Sequence, residues 1–247
     1  MNREKIKQVF KKVFHRFGYD VIRLHTSNEN IENHLANIFS KLHIDCVLDV
    51  GANSGQYAKT LRLGGYGGYI ISFEPVKRVF EKLEYNCRED DKWLCYNLAL
   101  GDTTSLQPLN VFSSTVFSSF LKVATYSKSI WNSLDTVEQE IVQVRRLDEL
   151  LPEIQKLTGC KRFFLKMDTQ GYDHNVFRGA SGAVDVIYGL QSELALIPVY
   201  EDMLNPYDVL NEFHRDGFYI SGMYPVNRDE SLAVIEYDCI MVKANIL

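Results

Sequence analysis

One nine-residue segment constrains this chain more than any other: Val47-Leu48-Asp49-Val50-Gly51-Ala52-Asn53-Ser54-Gly55. A short apolar run ends in a turn where Gly51 and Gly55 remove the side chains that would keep a ligand off the backbone. That is the pattern of a β-strand feeding a helix through a ligand-binding turn. A second acid, in Phe73-Glu74-Pro75, follows 25 positions after Asp49 (49 to 74). The interval holds strand one, a helix over 56–63 and a second strand, so Glu74 falls where a carboxylate accepts both hydroxyls of a ribose. The plainer alternative is an ordinary strand-to-helix turn.

The details of the turn separate two kinds of nucleoside. A dinucleotide turn needs G-x-G-x-x-G so that a pyrophosphate approaches the backbone, but Asn53 and Gln56 stand where the second and third glycines would be. S-adenosylmethionine (SAM) has no phosphate, carries a sulfonium cation, and tolerates a less glycine-rich turn with carboxylates nearby. The expected cofactor contacts are Asp49, Gly51, Asn53, Gly55 and Glu74. Asp102, in Leu98-Ala99-Leu100-Gly101-Asp102, is expected beside an adenine edge, or else as a turn cap.

The apolar periodicity alternates strand and helix. Strands are expected at 46–50, 69–73, 93–99, 163–167 and 186–196, with helices at 30–42, 56–63 and 76–87. Two apolar runs, 218–223 and 233–242, flank the turn-rich 225–231 and read as a terminal antiparallel hairpin. The expected fold class is therefore α/β: a Rossmann-like, mostly parallel, seven-stranded sheet with helices on both faces, as in class I methyltransferases. Residues 103–161 break the alternation with a Ser-rich piece (Ser113, Ser114, Ser118, Ser119) and a helical stretch at 147–157. They read as an insertion near the ligand edge of a domain spanning 45–247. Residues 1–44 read as an N-terminal helical extension. Its first part sets Ile6, Val9, Phe10, Val13, Phe14 and Phe17 at helical spacing among lysines. It is expected to pack on its own domain, with peripheral contact to an anionic membrane as the alternative.

In such a sheet an acid just past a strand faces the ligand crevice. Asp168, closing Phe163-Phe164-Leu165-Lys166-Met167, is expected as the base that takes a proton from an acceptor hydroxyl. Glu193 is the second choice, either sharing the proton or positioning the acceptor hydroxyl, and His174 is the third, since imidazole titrates near neutrality. The pair Asp168 and Glu193 would suit Mg²⁺, and Asp173 could supply a further carboxylate.

The segments D-V-G-A-N-S-G, F-E-P, N-L-A-L-G-D, R-R-L-D-E-L, L-K-M-D-T-Q-G-Y-D and Y-D-C-I-M-V occur in this order between about residues 45 and 243. Together they resemble the FkbM family of SAM-dependent methyltransferases. The resemblance implies a class I fold, methyl transfer to oxygen on a sugar or natural product, and a crevice containing Asp168 and Glu193. The chain departs from the family at one position. Where K-x-D-x-E-G is expected, Lys166-Met167-Asp168-Thr169-Gln170-Gly171 carries a glutamine.

Composition narrows the partners. A net charge of −5 over 247 residues disfavours a broad nucleic-acid footprint, leaving a small-molecule or glycan acceptor, with a surface polysaccharide or its precursor favoured. The odd set of five cysteines lacks a C-x-x-C pair, and no apolar run approaches a membrane span, so a cytoplasmic protein is expected. An NAD(P)-dependent sugar dehydrogenase or epimerase would want Tyr-x-x-x-Lys, and none of the 14 tyrosines has that lysine. A non-catalytic SAM-binding module is the remaining alternative. Oligomeric state is not legible.

Overall fold

The computed structural model describes residues 3–18, 30–125, 127 and 136–244. Its centre is a seven-stranded sheet in the order β3-β2-β1-β7-β8-β10-β9. The strands are β1 (Cys46–Val50), β2 (Tyr69–Phe73), β3 (Trp93–Tyr96), β7 (Phe163–Met167), β8 (Ile187–Ala195), β9 (Phe218–Arg228) and β10 (Val234–Lys243). From β3 to β8 neighbours pair in parallel, and β10 runs antiparallel to both β8 and β9. The expected terminal hairpin is thus present, and it reaches Arg228 through bulged pairing.

Alternation along the buried strands feeds two cores. Leu48, Ile71, Phe163 and Leu165 point to one face, covered by α5 (Leu147–Thr158), α6 (Asp173–Gly179) and α7 (Pro206–Arg215). Val47, Ile70 and Phe164 point to the other, under α2 (Ile31–Leu42), α3 (Gln56–Leu63) and α4 (Lys77–Cys87). The helix α2, assigned by sequence to the extension, contributes Leu35, Ile38, Phe39 and Leu42 to this second core. It is also tied to β9, because His34 bonds Ser221 at 2.8 Å and Tyr224 at 2.7 Å.

Two expectations need correction. The strand expected over 93–99 ends at Tyr96. Asn97 turns the chain by donating to the carbonyls of Glu74 and Pro75. Ala99–Leu100 (β4) then joins β5 (Ser105–Phe112) and β6 (Thr136–Arg145) of the insertion in a separate sheet, order β4-β6-β5. The first helix, α1 (Arg3–Arg16), does not bury its apolar stripe against the domain: Val9, Phe10, Val13, Phe14 and Phe17 are all exposed. The expected helical pattern beyond Gly18 lies outside the described residues. The cysteines are free thiols, and all but Cys95 are buried. No helix among the described residues is long and apolar enough to cross a membrane.

Candidate active site

The chain leaves β1 toward β2 on one side, and β7 lies on the other, so the crevice of the sheet opens between β1 and β7. There the backbones nearly touch. The Asp168 amide donates to the Val50 carbonyl at 3.2 Å. A Cβ at Gly51, whose φ is +74°, would stand 2.0 Å from the Asp168 carbonyl oxygen, so only glycine fits. A Cβ at Gly55 would strike the Trp93 ring. Asn53 also adopts positive φ (48°), and its side chain accepts from the Ser54 amide at 2.8 Å.

A cleft of about 430 Å³ lies over this junction. It is lined by Gly51, Asn53, Glu74, Asp168, Gln170 and Glu193, together with Tyr57, Lys166, Gln191 and Asp238. Leu109, Thr115, Ser118 and Phe120, from the 103–161 stretch, also line it. The Ser118 hydroxyl is buried and makes no hydrogen bond among the described residues. It leaves a polar atom for a ligand to satisfy.

Glu74 is nearly fully buried and accepts from two backbone amides, Asn53 at 3.0 Å and Val76 at 2.8 Å. Burial pushes its carboxyl up to about 7, against the pull of those two amides. Each oxygen keeps lone-pair capacity for a ligand hydroxyl.

Asp49 sits elsewhere than expected. It is fully buried beneath the turn and does not line the cleft. One oxygen pairs with Lys166 Nζ at 3.1 Å, and the other accepts from Ser72, whose hydroxyl in turn accepts from the Trp93 indole. Lys166 bridges onward to Asp168 at 3.4 Å. Burial opposes the charge on this lysine, but the two aspartates outweigh it and hold the ammonium above its ordinary range. Lys166 is legible in the sequence by little more than its place in the Lys166-Met167-Asp168 run, a charged residue inside an apolar strand.

Gln170, the position where a family carboxylate is expected, has a defined job. Its Nε2 donates to Asp168 at 3.2 Å and to Glu193 at 3.0 Å. The Tyr200 hydroxyl stands 2.9 Å from its Oε1, which leaves the amide NH₂ facing the two acids. The place between Asp168 and Glu193 is therefore taken by a hydrogen-bond donor. Among the described residues no three His, Cys, Asp or Glu side chains converge on a metal site. The fit to Mg²⁺ fails on the amide: the Gln170 NH₂, a donor, points at both carboxylates where a cation would have to stand. Burial, then the facing charge of Asp168, pushes the Glu193 carboxyl well above the ordinary carboxylate range.

Asp173 does not supply a replacement acid. It accepts from Thr169 N and Oγ1, Ser192 Oγ and the Glu193 amide, and so clamps the turn after β7 onto β8. His174 bonds Glu212 of α7 and does not line the cleft. Asp102 also stands outside it, its carbonyl accepting from Arg146 at 2.6 Å. Below the cleft, the Tyr57 hydroxyl donates to Gln191 and Gln191 donates to Asp238, both at 3.0 Å. This chain separates it from a second cavity of about 500 Å³ under α2.

Among solved structures, the chain is similar to magnesium protoporphyrin IX methyltransferase from Synechocystis PCC 6803, solved with bound SAM. The two are 10% identical over 96% of this chain and 97% of that one, with a TM-score of 0.44. It is also similar to an rRNA methylase from Streptococcus thermophilus, at 9% identity over 88% and 99% of the two chains and a TM-score of 0.46. No curated protein sequence matches it. The sequence model of the methyltransferase FkbM domain matches residues 49–217, from the buried aspartate under the glycine turn to the residue before β9. With that match covering most of the chain and the sheet order above, the protein belongs to the FkbM methyltransferase family.

Proposed function

We propose that this protein transfers a methyl group from SAM to a hydroxyl oxygen of a carbohydrate, such as a surface polysaccharide or its precursor. The observation that carries the reading is the meeting, at one crevice, of a glycine turn that only a Cβ-free residue can form and a pair of acids across from it. SAM supplies an electrophilic methyl on a sulfonium when bound.

The residues of this chain do the rest. Gly51, Asn53 and Gly55 hold the turn open to the backbone, and Glu74 accepts ribose hydroxyls. Asp49 acts from below as a positioning residue: through Lys166 it fixes the β1–β7 junction on which Asp168 stands. Asp168, partly exposed, is the acid free to accept the acceptor hydroxyl and orient its oxygen. Glu193, whose carboxyl is held above the ordinary carboxylate range by burial and by the facing charge of Asp168, shares the proton as charge develops. Phe120 and Tyr172, in ring contact at 4.7 Å at the cleft, offer aromatic faces to a sugar ring.

Turnover to S-adenosylhomocysteine on a panel of glycans tests the assignment. Asp168→Asn is expected to keep SAM affinity within about threefold while turnover falls about 100-fold or more. Full activity in that variant overturns the role of Asp168. Methylation of RNA but of no glycan overturns the acceptor class.

A further inference from the structure

The first helix is the part of the molecule that the catalytic fold leaves unused. Ile6, Val9, Phe10, Val13 and Phe14 recur at intervals of three and four, which puts them on one side of α1, and Phe17 continues the spacing into the turn just past it. A soluble domain buries such a stripe. Here Phe17 is 72% exposed, Val9 59% and Phe10 58%, and the Phe10 and Phe14 rings stack on each other at 5.6 Å.

Charge decides what covers it. Residues 3–16 carry six Lys or Arg against the single acid Glu4, net +5 in a chain of net −5, which leaves −10 on everything else. On the helical projection Lys11 flanks one side of the apolar stripe, and Lys12 and Arg16 flank the other. All three are exposed. Basic side chains along both borders of an apolar face match the boundary between acyl chains and anionic headgroups, where the stems lie on apolar surface and the cations reach phosphate. Two copies of this helix face to face would bring like charges together. A nucleic acid would pair with the cations and leave three phenylalanines in water.

We infer that α1 is an interfacial anchor that docks the enzyme on an anionic lipid surface. At 14 residues it extends about 21 Å, short of the roughly 30 Å of a hydrocarbon core, so it lies in the interface plane. The acidic remainder of the chain is repelled by the same surface. Attachment is thereby confined to α1, and the domain is held off the lipid. This inference does not depend on the identity of the methyl acceptor.

Sedimentation of the full chain with vesicles tests it. With vesicles of equal parts phosphatidylcholine and phosphatidylglycerol the protein is expected to pellet, and with phosphatidylcholine alone the affinity is expected to be about tenfold lower or less. Phe10→Asp with Phe14→Asp, and separately Lys11→Glu with Lys12→Glu, should each weaken binding to the anionic vesicles about tenfold or more, with SAM affinity unchanged. Failure of the full chain to pellet with anionic vesicles overturns the inference. So does equal binding to both vesicle types, or indifference to the lysine substitutions. A dimer by light scattering that dissociates on the Phe substitutions, without vesicle binding, shows instead that a second copy covers the face.

Discussion

Glu74, the proposed ribose contact, is a single buried acid whose titration would tie cofactor binding to pH. Its folded value of about 7 lies above the ordinary 4.5, so the folded state keeps a proton that the unfolded chain releases. The stability this contributes is full below about pH 4.5 and is lost as pH rises through about 7, at most about 3 kcal/mol. Urea midpoints of the ligand-free protein should therefore fall between pH 5 and pH 8, and the fall should shrink in Glu74→Gln. SAM affinity should move the opposite way, rising from pH 6 to pH 8 as the carboxylate proposed to accept ribose hydroxyls forms. A flat affinity profile would remove Glu74 from the cofactor contacts. The glycines and Glu74 were legible because backbone geometry near a strand end is written locally. Lys166 and the buried place of Asp49 were not, because their pairing depends on β7 lying beside β1, more than a hundred residues away, and the bonds of Gln170 depend on Glu193 and Tyr200 reaching it from β8 and the loop after it.

The turn between β7 and α6 depends on Asp173, which accepts four hydrogen bonds while nearly fully buried. Asp173→Ala leaves those donors without their acceptor, and it is expected to lower stability by about 3 kcal/mol and to disorder the backbone of Glu193. A urea midpoint unchanged from the parent would contradict that clamp. At this scale the strands with one apolar run and a clear turn were legible to the residue, as in β1, β2 and β7. The boundary at Tyr96 was not. Ala99–Leu100 is as apolar as the strand before it, and only its pairing with Val144 and Arg145 of the insertion draws it into another sheet. The packing expected of α1 failed for a related reason. Periodicity states that a face is apolar, but not which surface receives it.

As a whole the molecule joins an acidic catalytic body to a basic helix, with its crevice at the point where strand order reverses. Everything proposed about chemistry rests on that crevice taking SAM rather than a dinucleotide. Titration calorimetry of the full chain with SAM and, separately, with NAD measures this directly. Saturable heat with SAM, about tenfold or more weaker in Glu74→Gln, and none with NAD is the predicted result. Tight binding of NAD with no heat from SAM would contradict it.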